Sequence, residues 1–89
     1  MNLVKKLLIG DWLKKERPKW IMEGKALQEH RESLSLSLYR IAKNIGYSAN
    51  TLRKLEAGKP LYSARKIRRV YRLYLETVEL KNRIKMLNG

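Results

Sequence analysis

One stretch constrains this chain more than any other: GYSANTLRKLEAGK, Gly46 to Lys59. Two glycines enclose it, Gly46 and Gly58, and the space between them holds one turn and about two turns of helix. Ser48 suits the cap of that helix, because its hydroxyl can accept a hydrogen bond from the first free amides. Leu52 and Leu55 stand three residues apart and share one face. The same grammar precedes it. Ser37 can cap a short helix whose buried side is Leu38, Ile41, Ala42 and Ile45, and Gly46 ends that helix in a position suited to left-handed backbone. Gly46-Tyr47-Ser48 is then a turn of the length that joins two helices at a steep angle. Whatever the rest of the chain does, it must pack two short, crossed helices.

The remaining segments also read as helical. Only two prolines occur, Pro18 and Pro60. The alternating run SLSLSL at 33–38 is too short for a strand and has no partner strand, so it reads as a helix end, a turn and a helix start. Leu3 to Lys15 places Leu3, Val4, Leu7, Leu8 and Trp12 at helical spacing, with Lys5, Lys6, Lys14 and Lys15 elsewhere. That is a basic amphipathic helix, whose apolar stripe suits packing on the domain or on a second subunit. Pro18 suits the first turn of a new helix, with Trp20, Ile21, Leu27 and His30 or Leu34 facing inward. Gly24 weakens it by about 1 kcal/mol relative to alanine, which predicts a break or bend.

Ser63 reads as the cap of a last, longer helix. From Ala64 to Leu87 there is no glycine or proline. Val70, Leu73, Thr77, Leu80, Ile84 and Leu87 follow the alternating three-and-four spacing of a coiled-coil seam. A second stripe, Ile67, Tyr71, Tyr74 and Val78, suits packing on the domain itself. A helix of this length reaches about 36 Å, longer than a small domain is wide, so its far end is expected to meet a partner chain.

The chain has 89 residues, enough for a single modest core. It has no cysteine and one histidine, His30, which leaves no disulfide framework, thiol nucleophile or cysteine- and histidine-based metal site. No metal or cofactor is expected. The net charge of +13 implies attraction to a polyanion, nucleic acid or an anionic membrane surface. Apolar runs fall far short of the roughly 20 residues that span a bilayer. The start meets Asp11 too early for a secretory signal, which makes a cytoplasmic protein the expectation.

From Leu27 to about Leu75 the sequence resembles the Cro/repressor-type helix-turn-helix domain, the XRE family. The resemblance is carried by Leu36-Ser37, Ile41-Ala42, Ile45-Gly46-Tyr47-Ser48, Leu52 and Leu55-Glu56-Ala57-Gly58-Lys59. It implies an all-α fold, a compact lambda repressor-like helical bundle, here with an extra N-terminal amphipathic helix and a long C-terminal helix. The expected organisation is a basic amphipathic helix over 1–17, the helix-turn-helix domain over 18–75 and a helical extension over 76–89, the candidate dimerisation segment.

The resemblance implies a sequence-specific regulator of transcription, a repressor, binding double-stranded DNA as a homodimer on a two-fold-related site. Phage or mobile-element control is a common setting for the family. The recognition helix enters the major groove by its N-terminal residues. Ala49, Asn50, Thr51, Arg53 and Lys54 are the expected base-contacting residues. Asn50 suits a bidentate pair with adenine, and Arg53 and Lys54 suit guanine or phosphate. Tyr39, Lys43, Ser48, Lys59, Tyr62 and Arg65 are the expected phosphate contacts, which orient the protein without reading sequence. Arg31 and Glu56 match a family pair that holds the recognition helix. Leu38 departs from the family, which usually has a polar, DNA-contacting residue there. The stripe Val70, Leu73, Thr77, Leu80, Ile84 and Leu87 is the expected dimer contact.

Two other readings stand beside this one. The domain could be a protein-interaction module, or the antitoxin-type partner of another protein, with DNA binding secondary. Residues 1–15 could also rest on a membrane surface, a contact the apolar stripe's suitability for packing argues against. No enzyme is expected. GKP after Ala57 lacks the upstream glycine and the following Ser or Thr of a phosphate-binding loop.

Overall fold

A computed structural model describes residues 3–88, with side chains from residue 10 onward. Four helices follow one another: α1 (Leu3–Ser33), α2 (Leu38–Ile45), α3 (Ala49–Glu56) and α4 (Ala64–Asn88). The fold is an all-α helical bundle. No described helix is long and apolar enough to cross a membrane.

α1 corrects the expectation of two separate N-terminal helices. It runs unbroken through Pro18 and Gly24. Gly24 does not break the helix; it is buried, and the reason it is glycine is packing. A Cβ there would strike the carbonyl groups of Leu55 and Glu56, so only glycine lets α1 lie against the last turn of α3. One turn earlier, the backbone of Ile21 lies against Gly58, where a Cβ would also collide. Two glycines thus make the crossing between α1 and the end of α3. At the following turn Leu27 enters the core.

The helix ends follow from specific hydrogen bonds. α1 closes with Leu36 N–H donating to Arg31 O (3.2 Å) and Ser35 N–H to Glu32 O (3.0 Å). This is the paired geometry that satisfies the last free carbonyls of a helix. It places Ser35 at φ +56°, a backbone uncommon outside glycine. α3 ends the same way, with Lys59 N–H to Lys54 O (3.0 Å), Gly58 N–H to Leu55 O (3.1 Å), and Gly58 at φ +72°. Ser37 and Ser48 cap α2 and α3 as their sequence positions suggest, accepting from the amides of Arg40 and Thr51 at 3.1 Å. Gly46 ends α2 at φ +81°. Ser63 does not fit the cap expected of it. Its φ is +58°, not the extended backbone that aims a capping hydroxyl at the first amides.

The core gathers Leu27 and Leu36, Ile41 and Ala42 from α2, Leu52 and Leu55 from α3, and Ile67, Tyr71 and Leu75 from α4. Leu38, Ile45, Tyr74 and Val78 are half-buried around it. The second stripe of α4 therefore packs inward as expected, with Leu75 added to it. Three expected inward residues of α1 behave differently. Ile21 is 46% exposed, Trp12 is 55% exposed, and Trp20 is half-buried against Trp12 rather than in the core. The side chains of Leu3, Val4, Leu7, Leu8 and Ile9 lie outside the described residues.

Candidate nucleic-acid interface

α3 is anchored from three sides. Leu52 and Leu55 are buried, at 0% and 2% exposure. The third anchor is Glu56, the last residue of the helix and the buried acid of the core. Arg31 of α1 grips it with two bonds, Nε to Oε2 at 2.8 Å and Nη2 to Oε1 at 3.2 Å. The remaining Arg31 nitrogen, Nη1, donates to Leu36 O at 3.0 Å. Tyr71 of α4 donates its hydroxyl to Glu56 Oε2 at 2.5 Å. The Arg31–Glu56 pair expected from the sequence is present, and Tyr71 completes it as a third member. Sequence spacing placed Tyr71 on an inward stripe but held no sign of its hydroxyl's partner.

Glu56 shapes the electrostatics of both of its partners. The Glu56 carboxylate raises the Arg31 guanidinium above its ordinary value, through their hydrogen bond first and their opposite charge second. Burial, then the hydrogen bond to Glu56, pushes the Tyr71 hydroxyl far above the usual phenol range. Three helices meet at one carboxylate, so α3 is held in angle as well as in place.

That anchoring decides what α3 presents. Asn50, Arg53 and Lys54 are exposed on the face opposite Leu52, Leu55 and Glu56. Ala49 differs from the expectation of an outward residue: it is half-buried and packs against the core. Thr51 is also half-buried, and its hydroxyl is bonded to Ser48 Oγ at 2.8 Å. Ala57, just past the helix, is exposed on the same side as Asn50 and Lys54 and was not singled out from the sequence.

The expected phosphate-contacting residues are all exposed. Tyr39 (76%) and Lys43 lie on α2, which packs against α3; Ser48 caps α3; Lys59 and Tyr62 (97%) follow it. Arg65 is grouped differently, since it lines a cleft between α1 and α4. Leu38, at the start of α2, is half-buried against the core and offers no donor. Asn44 on α2 is held by Arg40 O at 2.8 Å and by the Tyr74 hydroxyl at 3.2 Å, which ties α2 to α4.

Charge sets this surface apart. Between Glu32 and Glu76 the chain holds ten cationic residues and one acid, Glu56, which is buried and committed to Arg31 and Tyr71. Among the described residues, Arg40, Lys43, Arg53, Lys54, Lys59 and Arg65 have no carboxylate partner. Unopposed cations on an exposed helix and its flanking turns attract a phosphate backbone. The excess of cations over a single acid is present in the sequence, but only the structure shows that Glu56 is withdrawn from the surface.

Comparison with known proteins adds one finding. The family model described as a helix-turn-helix domain matches residues 24–83, from the glycine at the α1–α3 crossing to well along α4. No curated protein and no solved structure gives a match. The matched region holds the two capped short helices, the glycine turn and the triple anchor of α3, and the chain belongs to the helix-turn-helix domain family.

Proposed function

We propose that the protein is a sequence-specific regulator of transcription of the Cro/repressor type, a repressor that places α3 in the major groove of its operator. The observation that carries this reading is the exposure pattern of α3. Leu52, Leu55 and Glu56 are buried, and Asn50, Arg53 and Lys54 face outward. Asn50 and Arg53 have the donor and acceptor sets that discriminate adenine and guanine edges. Tyr39, Lys43, Ser48, Lys59, Tyr62 and Arg65 take the phosphates. With Leu38 half-buried and apolar, base reading concentrates on Asn50, Arg53 and Lys54. Ala49 and Thr51, half-buried, contribute at most apolar contact.

The protein acts as a homodimer in this reading. Leu73, Leu80, Ile84 and Leu87 are 50%, 57%, 49% and 87% exposed, a continuous apolar stripe with Val70 and Thr77 on one side of α4. Pairing two such stripes removes that apolar surface from water, and a two-fold dimer of this type is expected on half-sites about one helical turn apart. A second reading uses the same stripe as the seat of a different protein, as in an antitoxin-type pair, with DNA binding secondary.

Selection from a random duplex pool, followed by binding over a salt series, tests both. A two-fold-related enriched site supports the operator reading. A single unrepeated half-site removes the dimer. No enrichment and no affinity at low salt remove the DNA reading itself.

A further inference from the structure

The first half of α1 and the start of α4 enclose an open cleft of about 1310 Å³ on the molecule. Its chemistry is two-sided. One wall is cationic: Arg65, Arg68, Arg69 and Arg72 stand at i, i+3, i+4 and i+7 on one face of α4, joined by Lys66 and by Lys19 of α1. Two carboxylates oppose these six cations, Glu16 and Glu23. Arg68 Nε lies 2.9 Å from Glu23 Oε2, without the alignment of a hydrogen bond. The other five cations have no carboxylate partner among the described residues. The second wall is apolar, formed by Trp12, Trp20 and Leu61.

We propose that this cleft docks an acidic protein segment that also carries aliphatic side chains. The cationic wall matches carboxylates, and the tryptophan wall needs an apolar counterpart. A duplex presents its phosphates outermost and keeps its apolar base faces stacked inside, away from such a wall. A single strand would use tryptophans as flat stacking platforms. Here the two rings meet edge to face, with centroids 5.3 Å apart and planes at 70°, so the edge of one ring covers a face of the other and the pair offers no two parallel platforms for successive bases. Aliphatic side chains pack against such edges without needing a platform. Arg65 sits on this wall and is also an expected phosphate contact, so an occupied cleft competes with DNA for it.

Trp12 and Trp20 are the only tryptophans in the chain, so intrinsic fluorescence reads the cleft directly. The test titrates the full chain, without DNA, with a Glu–Leu amphipathic peptide, an all-Glu peptide of equal length, and oligo-dT of equal charge. The Glu–Leu peptide should shift the tryptophan emission and bind at least about tenfold more tightly than either of the others. Trp12→Ala, at an exposed site, should erase that margin while Trp20 still reports. Arg69→Glu with Arg72→Glu should weaken both peptides by about tenfold or more. Equal affinity for the two peptides, or tighter oligo-dT binding, overturns the proposal. So does peptide binding that leaves the emission unchanged, or that is abolished by Leu80→Arg, since the peptide then sits elsewhere. Because no duplex is present, failure here leaves the operator reading standing, and failure of that reading leaves this one.

Discussion

Replacing Arg31 with methionine removes two of the three bonds that hold the end of α3. The side chains of Arg31 and Glu56 are 14% and 7% exposed, so the carboxylate cannot turn to water for compensation. Removing one partner of a buried pair costs about 3–5 kcal/mol. Tyr71 still donates to Glu56 in the variant, which places the loss near the lower end, about 3 kcal/mol. For a domain of this size each kcal/mol moves Tm by about 4–8 °C, so the expected fall is about 12–24 °C. Thermal and urea unfolding followed by far-UV circular dichroism measure it. A triple variant, Arg31→Met with Glu56→Leu and Tyr71→Phe, should recover more than half of the loss, because it removes the stranded charge along with its partners. It does not recover everything, since Leu36 O also loses its donor. A single-variant loss under about 1 kcal/mol would falsify the reasoning, because the pair would then behave like an exposed one. A triple variant no more stable than Arg31→Met would refute it as well.

Gly24→Ala should destabilise by about 1–3 kcal/mol despite alanine's better helix propensity, because the new methyl meets backbone of α3. Gly10→Ala in the same helix, with nothing within 4 Å, should keep or raise helix content; a matching loss at both sites by circular dichroism would contradict a close α1–α3 crossing at Gly24. Asn50→Ala should relax base preference in pool selection, whereas Lys59→Ala should weaken all sequences about equally and lower the salt slope by about one. In sedimentation, Leu80→Arg should convert dimer to monomer; a wild-type monomer at high concentration sinks the coiled-coil contact. Tyr71 in the folded state holds its proton more tightly than in the unfolded chain. Its stabilisation is therefore full below the ordinary phenol value, about pH 10, and is lost as pH rises further. Urea midpoints should fall more steeply above pH 10 in the wild type than in Tyr71→Phe; equal slopes would show that the hydroxyl is not held this way.

Local chemistry makes much of the fold legible in the sequence. Ser37, Gly46, Ser48 and Gly58 mark helix ends because each acts on backbone groups within a few residues of itself. The periodicity of Leu52 with Leu55, and of Ile67 with Tyr71, reports which side of a helix avoids water. Ser63 shows the limit of such reasoning. A serine before a helix has capping chemistry, yet the loop from Pro60 delivers it with left-handed backbone, which its neighbours in sequence do not announce.

The sequence by itself determined the two short capped helices, the turn between them, the long uninterrupted α4 and the strong positive charge. These depend on backbone propensity, hydrophobic spacing and composition, all of which act locally or simply add up. Tertiary structure alone decided the rest. Gly24 reads as a weak point in a helix until α3 is laid across it, where it becomes the residue that allows the crossing. Tyr71 reads as one more core aromatic until Glu56, fifteen residues earlier, is brought to its hydroxyl. Trp12 and Trp20 read as core residues until α1 runs on past the bundle and leaves them lining a cationic cleft. In each case the physical cause is a contact between residues distant in sequence, and no local pattern carries the position of its partner.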